Sequence, residues 1–175
     1  MANTKWVIDP THSEVTFKVK HLMISTVTGN FKVFEGTVET ETEEFSKVKN
    51  LEFKADVNSV NTNNKDRDTH LKSEDFFAAE KFPEIKFVAE RFDIDAGQIE
   101  GKLTIKDTTK AVSLEVDFGG VVVDPYGQTK AGLTANGKIS RKEFGLVWSP
   151  VTEAGNVVVG DQIKLSAEVQ FIKQA

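Results

Sequence analysis

Apolar and polar side chains alternate two by two through most of the chain. Val15, Phe17, Val19 and His21 fall on one side of a strand, with Glu14, Thr16, Lys18 and Lys20 on the other. Leu51, Phe53, Ala55 and Val57 stand against Glu52, Lys54 and Asp56. Ile99, Leu103 and Ile105 oppose Glu100, Lys102 and Thr104, with Gly101 on the apolar side, where a bend or a close approach is expected. Val112, Leu114, Val116 and Phe118 alternate with Ser113, Glu115 and Asp117, and Ile163, Leu165, Ala167, Val169 and Phe171 with Lys164, Ser166, Glu168 and Gln170. Weaker signals occupy 31–40, 85–92 and 130–140. A period of two marks half-buried strands. The pattern predicts roughly eight of them plus a short one at 6–8, with turns at Ala96-Gly97 and Pro125-Tyr126-Gly127. One apolar face per strand describes an antiparallel sheet wrapped around an interior, either an up-and-down barrel or a sandwich. No helical stretches recur between strands, which argues against a parallel βαβ sheet. No repeat or linker divides residues 1–175, so a single domain is expected.

One segment, 61–82, breaks the rhythm. Asn63 followed by Asp66 has the spacing of a helix cap with an acid three residues on, and Asp68 also lies in the first turns. Ser73, Glu74 and Asp75 can start a second turn that ends before Pro83. The expectation is one or two short helices across a mouth or side of the β structure, anchored by Phe76 and Phe77.

Composition narrows the chemistry. Zero Cys excludes zinc–thiolate sites, disulfide frameworks and catalytic cysteines. With 22 Lys+Arg against 27 Asp+Glu, the net charge of −5 disfavours nucleic acid and electrostatic docking to anionic lipid. No window approaches the length of apolar run that spans a membrane. The N-terminus lacks a basic region followed by an apolar stretch, so the expected compartment is the cytoplasm, or the periplasm if a leader was removed. No dinucleotide or P-loop spacing is present, and Ser13, Ser25, Ser59 and Ser73 sit in no nucleophile elbow, so no cofactor and no catalytic residue is assigned. His12 and His21 lie at the two ends of one strand, where nine residues span roughly 30 Å, too far to share a metal. Asp66, Arg67, Asp68 and His70 suit either acid–base chemistry or plain helix-terminus electrostatics. Thirteen Phe against one Tyr make a long apolar stripe, which either fills a core or walls a cavity.

Several pieces of sequence together resemble a known family, the YceI-like proteins. They are Trp6-Val-Ile-Asp-Pro-Thr-His-Ser13, Phe17 through His21, Gly29-Asn-Phe31 and Phe34-Glu-Gly36. They continue with Arg67-Asp-Thr-His-Leu71, Asp75-Phe-Phe77, Phe82-Pro-Glu-Ile-Lys-Phe87, Gly101-Lys-Leu-Thr-Ile105, Thr109-Lys110 and Arg141-Lys-Glu-Phe-Gly145, in family order. One departure is Asp107, where the family has Gly in a turn. The resemblance implies an all-β fold, an extended antiparallel eight-stranded lipocalin-like barrel with the helical segment packed on it. It also implies an apolar channel for a polyisoprenoid or other long-chain amphiphilic lipid, no catalysis, and a homodimer.

The lining then falls to Phe17, Val19, His21, Leu51, Phe53, Phe77, Phe87, Leu103, Ile105, Leu114, Val116, Leu165 and Val169. Arg67, His70 and Arg141 are the candidates for a polar head group. Two rivals stand beside non-catalytic binding and transport. One is an enzyme acting on such a lipid with His21 as base, and the other a stress-response scaffold that holds no ligand.

Overall fold

Hydrogen-bonded ladders follow the alternation closely. The computed structural model describes residues 3–148 and 158–175, and among them eleven strands form one sheet. In chain order these are β1 (Thr4–Ile8), β2 (Glu14–His21), β3 (Ser25–Phe31), β4 (Phe34–Thr40), β5 (Lys47–Asp56) and β6 (Val60–Asn61). They continue as β7 (Glu84–Asp93), β8 (Gln98–Ile105), β9 (Thr108–Val123), β10 (Thr129–Ser140) and β11 (Val159–Lys173). Every pairing is antiparallel, and β1 pairs with β11, which closes the sheet on itself.

The register reduces eleven strands to eight staves. β1 and β2 lie end to end along β11, with Ile8 opposite Phe171 and Glu14 opposite Glu168. β4 and β3 continue one another beside them, and β5 and β6 do the same one place further round. Two of the breaks are short 3-10 turns started by aspartates. Asp9 accepts from the Thr11 N–H at 3.0 Å and Asp56 from the Asn58 N–H at 2.9 Å. The result is an up-and-down barrel of eight staves in sequential order, as expected. The sequence pattern, however, gives no sign of β3. The departure at Asp107 proves harmless, because the left-handed residue of that turn is Lys106 (φ 58°).

The 61–82 segment forms one helix, α1 (Lys65–Lys72). Its cap is Asn64, whose side chain accepts from the Arg67 N–H at 3.0 Å, not the expected Asn63, which is left-handed at φ 63°. Asp66 and Asp68 occupy its first turn. No second helix starts at Ser73. The Ser73 hydroxyl instead bonds the His70 carbonyl at 2.5 Å and ends α1, and a turn follows. α1 buries none of its own residues, so Phe76, which is buried, and Phe77, packed edge-on to Phe31 with ring centroids 6.2 Å apart, hold the segment down.

Both outcomes left open for the interior occur, at different levels. At one end Trp6 is fully buried, its indole N–H bonded to Thr40 Oγ1 at 3.1 Å. Phe45, from the loop between β4 and β5, meets Trp6 edge-on at 5.0 Å and stacks on Phe118 and Phe171 at 5.7 and 5.8 Å. That aromatic plug is a filled core. Toward the other end, the barrel is hollow.

Candidate functional site

The hollow is a cavity of about 380 Å³, within the roughly 300–1,000 Å³ typical of small-molecule sites. Its wall is built from the inward faces of the staves. β2 supplies Phe17 and Val19, β5 Leu51 and Phe53, β7 Phe87, β8 Leu103 and Ile105, β9 Leu114, and β11 Leu165 and Val169. Phe77 enters from the turn after α1, and His21 stands at the rim, exposed. Of the expected lining only Val116 lies outside. It is buried next to the Ile94–Ala96 turn, where its N–H bonds the Gly97 carbonyl at 2.8 Å.

Why the barrel is hollow follows from its glycines. A Cβ on Gly29 would collide with the ring of Phe17, its cross-strand partner. A Cβ on Gly101 would lie 2.5 Å from Phe87 Cζ, and one on Gly137 2.5 Å from Leu114 Cδ2. Each large side chain therefore lies down along the wall, over the bare backbone of a glycine, instead of reaching across the lumen. The close approach expected at Gly101 is of this kind. The partial exposure of Val15, Phe53, Leu114, Ile163 and Leu165 is exposure to the lumen.

Apart from Thr16, Glu52 and Ser166, the polar residues of the wall gather at the end away from the aromatic plug. Arg67, on α1, donates through Nε to Thr62 Oγ1 at 2.8 Å and through a terminal nitrogen to the Thr62 carbonyl at 2.6 Å. Asp68 accepts from the same Thr62 hydroxyl at 2.6 Å and from its N–H at 2.8 Å, which ties α1 to β6. The imidazole of His70 lies 2.9 Å from the Asp75 carboxylate and sits edge-on to Phe76 and to Trp148, at 5.1 and 4.6 Å. Lys20 and His21 complete the rim from β2.

Arg141 is the correction among the head-group candidates. It borders the cavity but is only 1% exposed, and its guanidinium is given to backbone carbonyls. Nε bonds the Gly160 carbonyl at 2.8 Å, and one terminal nitrogen bonds those of Leu146 and Trp148 at 2.6 and 2.7 Å. The other bonds that of Val159 at 3.1 Å. Burial pulls its pKa below the ordinary arginine value, with the charge of Asp161 acting in the opposite sense. Its role is to fasten the corner between β10 and β11. The acidic groups of 66–68 likewise serve the helix terminus and the Thr62 tie, the second of the two readings open for them.

Sequence reasoning missed Phe31, Ile99, Leu133, Ala135, Ile139 and Trp148, all of which line the cavity. Period two was present for Leu133, Ala135 and Ile139, but the small residues between them muted it. Trp148 carried no periodic signal.

A separate polar cluster lies off the cavity. Asp9 accepts from Lys130 Nζ at 3.0 Å, from His12 Nδ1 at 2.8 Å and from the Thr11 hydroxyl at 2.7 Å. Burial opposes its ionisation, but these bonds outweigh that and hold its carboxyl far below the usual carboxylate range. Lys130 also reaches Asp124 at 3.5 Å across the β9–β10 turn.

An eight-stave barrel with one end plugged and an apolar hollow behind a polar rim defines a class, the barrel proteins that enclose a ligand-sized space. Within it the chain belongs to the YceI-like domain family, whose profile matches residues 6–171. It is 36% identical over 171 residues to a UPF0312 protein of Staphylococcus epidermidis, covering 96% of this chain and 97% of that one. The match to a UPF0312 protein of Staphylococcus aureus has the same identity and coverage. A crystal structure of a Campylobacter jejuni YceI protein superposes with a TM-score of 0.75 at 34% identity, over 89% of this chain and 90% of that one. A polyisoprenoid-binding domain from Saccharophagus degradans shares the fold at 13% identity, with a TM-score of 0.73 over 97% and 98% of the two chains.

Proposed function

We propose that the protein binds one polyisoprenoid or other long-chain amphiphilic lipid in its cavity, without chemistry, and carries or sequesters it. The observation that carries this reading is a hollow walled mainly by apolar side chains, with arginine and imidazole groups at the end away from the aromatic plug. The tail lies along the flattened rings of Phe17 and Phe87, and Arg67 and His70 meet the head. Each buried CH₂ contributes about 0.8 kcal/mol, so roughly ten such units supply about 8 kcal/mol, enough to exceed the lower estimates of the association cost of about 4–15 kcal/mol. The name of the Saccharophagus degradans domain supports the ligand class. The enzyme reading lacks a carboxylate to orient His21, since the acid–imidazole pairs among the described residues are Asp9–His12 and Asp75–His70.

The test is organic extraction of purified protein with mass spectrometry, followed by titration with a fluorescent isoprenoid analogue. A long-chain amphiphile in the extract and saturable uptake that Leu165→Trp abolishes support the reading. An empty extract with no uptake defeats it and leaves the scaffold.

We also infer pairing of two copies along β9. Beyond Val116, whose N–H bonds the Gly97 carbonyl, this strand pairs among the described residues with β10 on one edge only, and Val121, Val122 and Val123 are exposed there. Light scattering of the Val122→Lys variant tests it, with a monomer expected.

A further inference from the structure

The hairpin joining β2 and β3, at the rim of the cavity, has a tip that is both left-handed and apolar. The Ile24 N–H bonds the His21 carbonyl at 3.1 Å, so the turn has two central residues, Leu22 (φ 52°) and Met23 (φ 59°), both left-handed. Such a turn favours Asn-Gly, and bulky side chains strain it. The tip also sets apolar side chains in water, Met23 at 61% and Ile24 at 83% exposure. Strain and exposure thus meet at Met23, and among the described residues the tip is tied back only by the Leu22 N–H, which bonds the Val158 carbonyl at 2.8 Å.

A second observation is independent of the first. On the outer face of the adjoining staves, Lys138 is directly opposite Lys164, and Lys164 directly opposite Lys18. All three are exposed, as is Lys20, two residues nearer the tip. Like charges directly opposed across strands destabilise a sheet. None of the ion pairs among the described residues engages these four lysines. Asp161, the acid of β11 nearest the rim, stays ionised, held by the Ser140 hydroxyl at 2.6 Å and the Lys142 N–H at 3.2 Å, so the four lysines outnumber it and leave the corner cationic. The next acids of β2 and β11 lie further from the tip, where Glu14 opposes Glu168. The net charge of −5 therefore averages over a segregated surface, and the docking it disfavours is favoured locally.

We propose that this corner docks onto an anionic phospholipid bilayer, with Met23 and Ile24 entering the acyl boundary and Lys18, Lys20, Lys138 and Lys164 meeting lipid phosphates. An apolar prong ringed by cations is the chemistry of such a surface. A second copy does not fit, because a two-fold contact would set the lysine row against itself. Docking would turn the rim formed by Lys20 and His21 toward the lipid, so that an amphiphile could pass between bilayer and cavity. That use rests on the lipid-binding reading, whereas the docking does not.

Sedimentation with vesicles tests it, using phosphatidylcholine with and without phosphatidylglycerol. Wild type binds the anionic vesicles, less so at high salt. Met23→Gly suits the left-handed backbone, so its melting temperature is no lower than wild type, yet its vesicle affinity falls roughly tenfold. Lys18→Gln/Lys164→Gln loses roughly 30-fold and flattens the salt dependence without loss of stability. Wild type that ignores anionic vesicles, or variants that bind them as wild type does, would overturn the proposal. Uptake of the isoprenoid analogue delivered from cyclodextrin, with no bilayer present, reads the cavity separately.

Discussion

Gly29→Ala is the sharpest probe of how the hollow is held open. The three atoms nearest a Cβ at Gly29 all belong to the ring of Phe17, so the ring must leave the wall and enter the lumen. Overpacking of this kind costs about 1–3 kcal/mol. Remove the ring and the sign changes, because in a Phe17→Ala background the same substitution only restricts the unfolded chain, a gain of about 0.4–1 kcal/mol. The coupling between the two sites is then about 1.4–4 kcal/mol, read by urea denaturation of the four proteins of the cycle. Analogue uptake should fall in Gly29→Ala and return in the double variant. Gly101→Ala is the internal control. There the Val88 carbonyl lies 2.7 Å from the new Cβ as well, so truncating Phe87 should not rescue it. If Gly29→Ala costs the same with and without the Phe17 ring, the account of the flattened wall is wrong.

Other outcomes follow from the same geometry. Phe53→Asp should cost several kcal/mol, because it buries a carboxylate in the wall, whereas Lys54→Asp, at a half-exposed pair 3.9 Å from Glu84, should stay within about 1 kcal/mol. Equal shifts in thermal midpoint would mean the faces are misassigned. Arg141→Met strands four carbonyls and should cost more than about 3 kcal/mol, with uptake by the remaining folded protein unchanged; a loss of affinity alone would return Arg141 to the head group. The Asp9 carboxyl titrates below its ordinary value of 3.8 when folded, so its contribution to stability is complete above that value and drains as pH falls through the folded pKa. Asp9→Asn should therefore lower stability at neutral pH and flatten the decline in acid, as followed by denaturation midpoints from neutral pH downward. Phe77→Ala, partly buried against Phe31, should cost about 2 kcal/mol and speed analogue dissociation; an unchanged rate would make the segment scaffold only.

Much of this was legible in the chain because a strand with one wet and one dry face writes itself in period two. Leu51, Phe53 and Ala55 on β5 and Ile163, Leu165 and Ala167 on β11 point inward as their spacing says. β3 was silent for a local reason: its inward set is Val27, Gly29 and Phe31, a glycine in the middle, and it begins at a turn built from Leu22 and Met23 with no turn-forming residue. Other facts were illegible in principle. Gly101 could be marked as a close approach, but the ring that covers it is known only once β7 and β8 are in register. Arg141 is spent on carbonyls, which have no side-chain signature, so no spacing could separate a structural arginine from one facing a ligand. Hollow or filled is a matter of which way rings lie, and Phe45 and Phe17, identical in the sequence, give opposite answers.

The pairing of the first stave with the last has a consequence for when the protein can work. Neighbouring staves can zip together as the chain leaves the ribosome, each from its own hairpin. The seam where Trp6 meets Lys173 and Phe17 meets Leu165 must wait until β11 has been made, and its loop-closure entropy falls due in that one late step. Before it, Phe17 and Leu165 belong to two margins of an open ribbon that enclose nothing. Completion of folding and the appearance of the lumen are thus a single event.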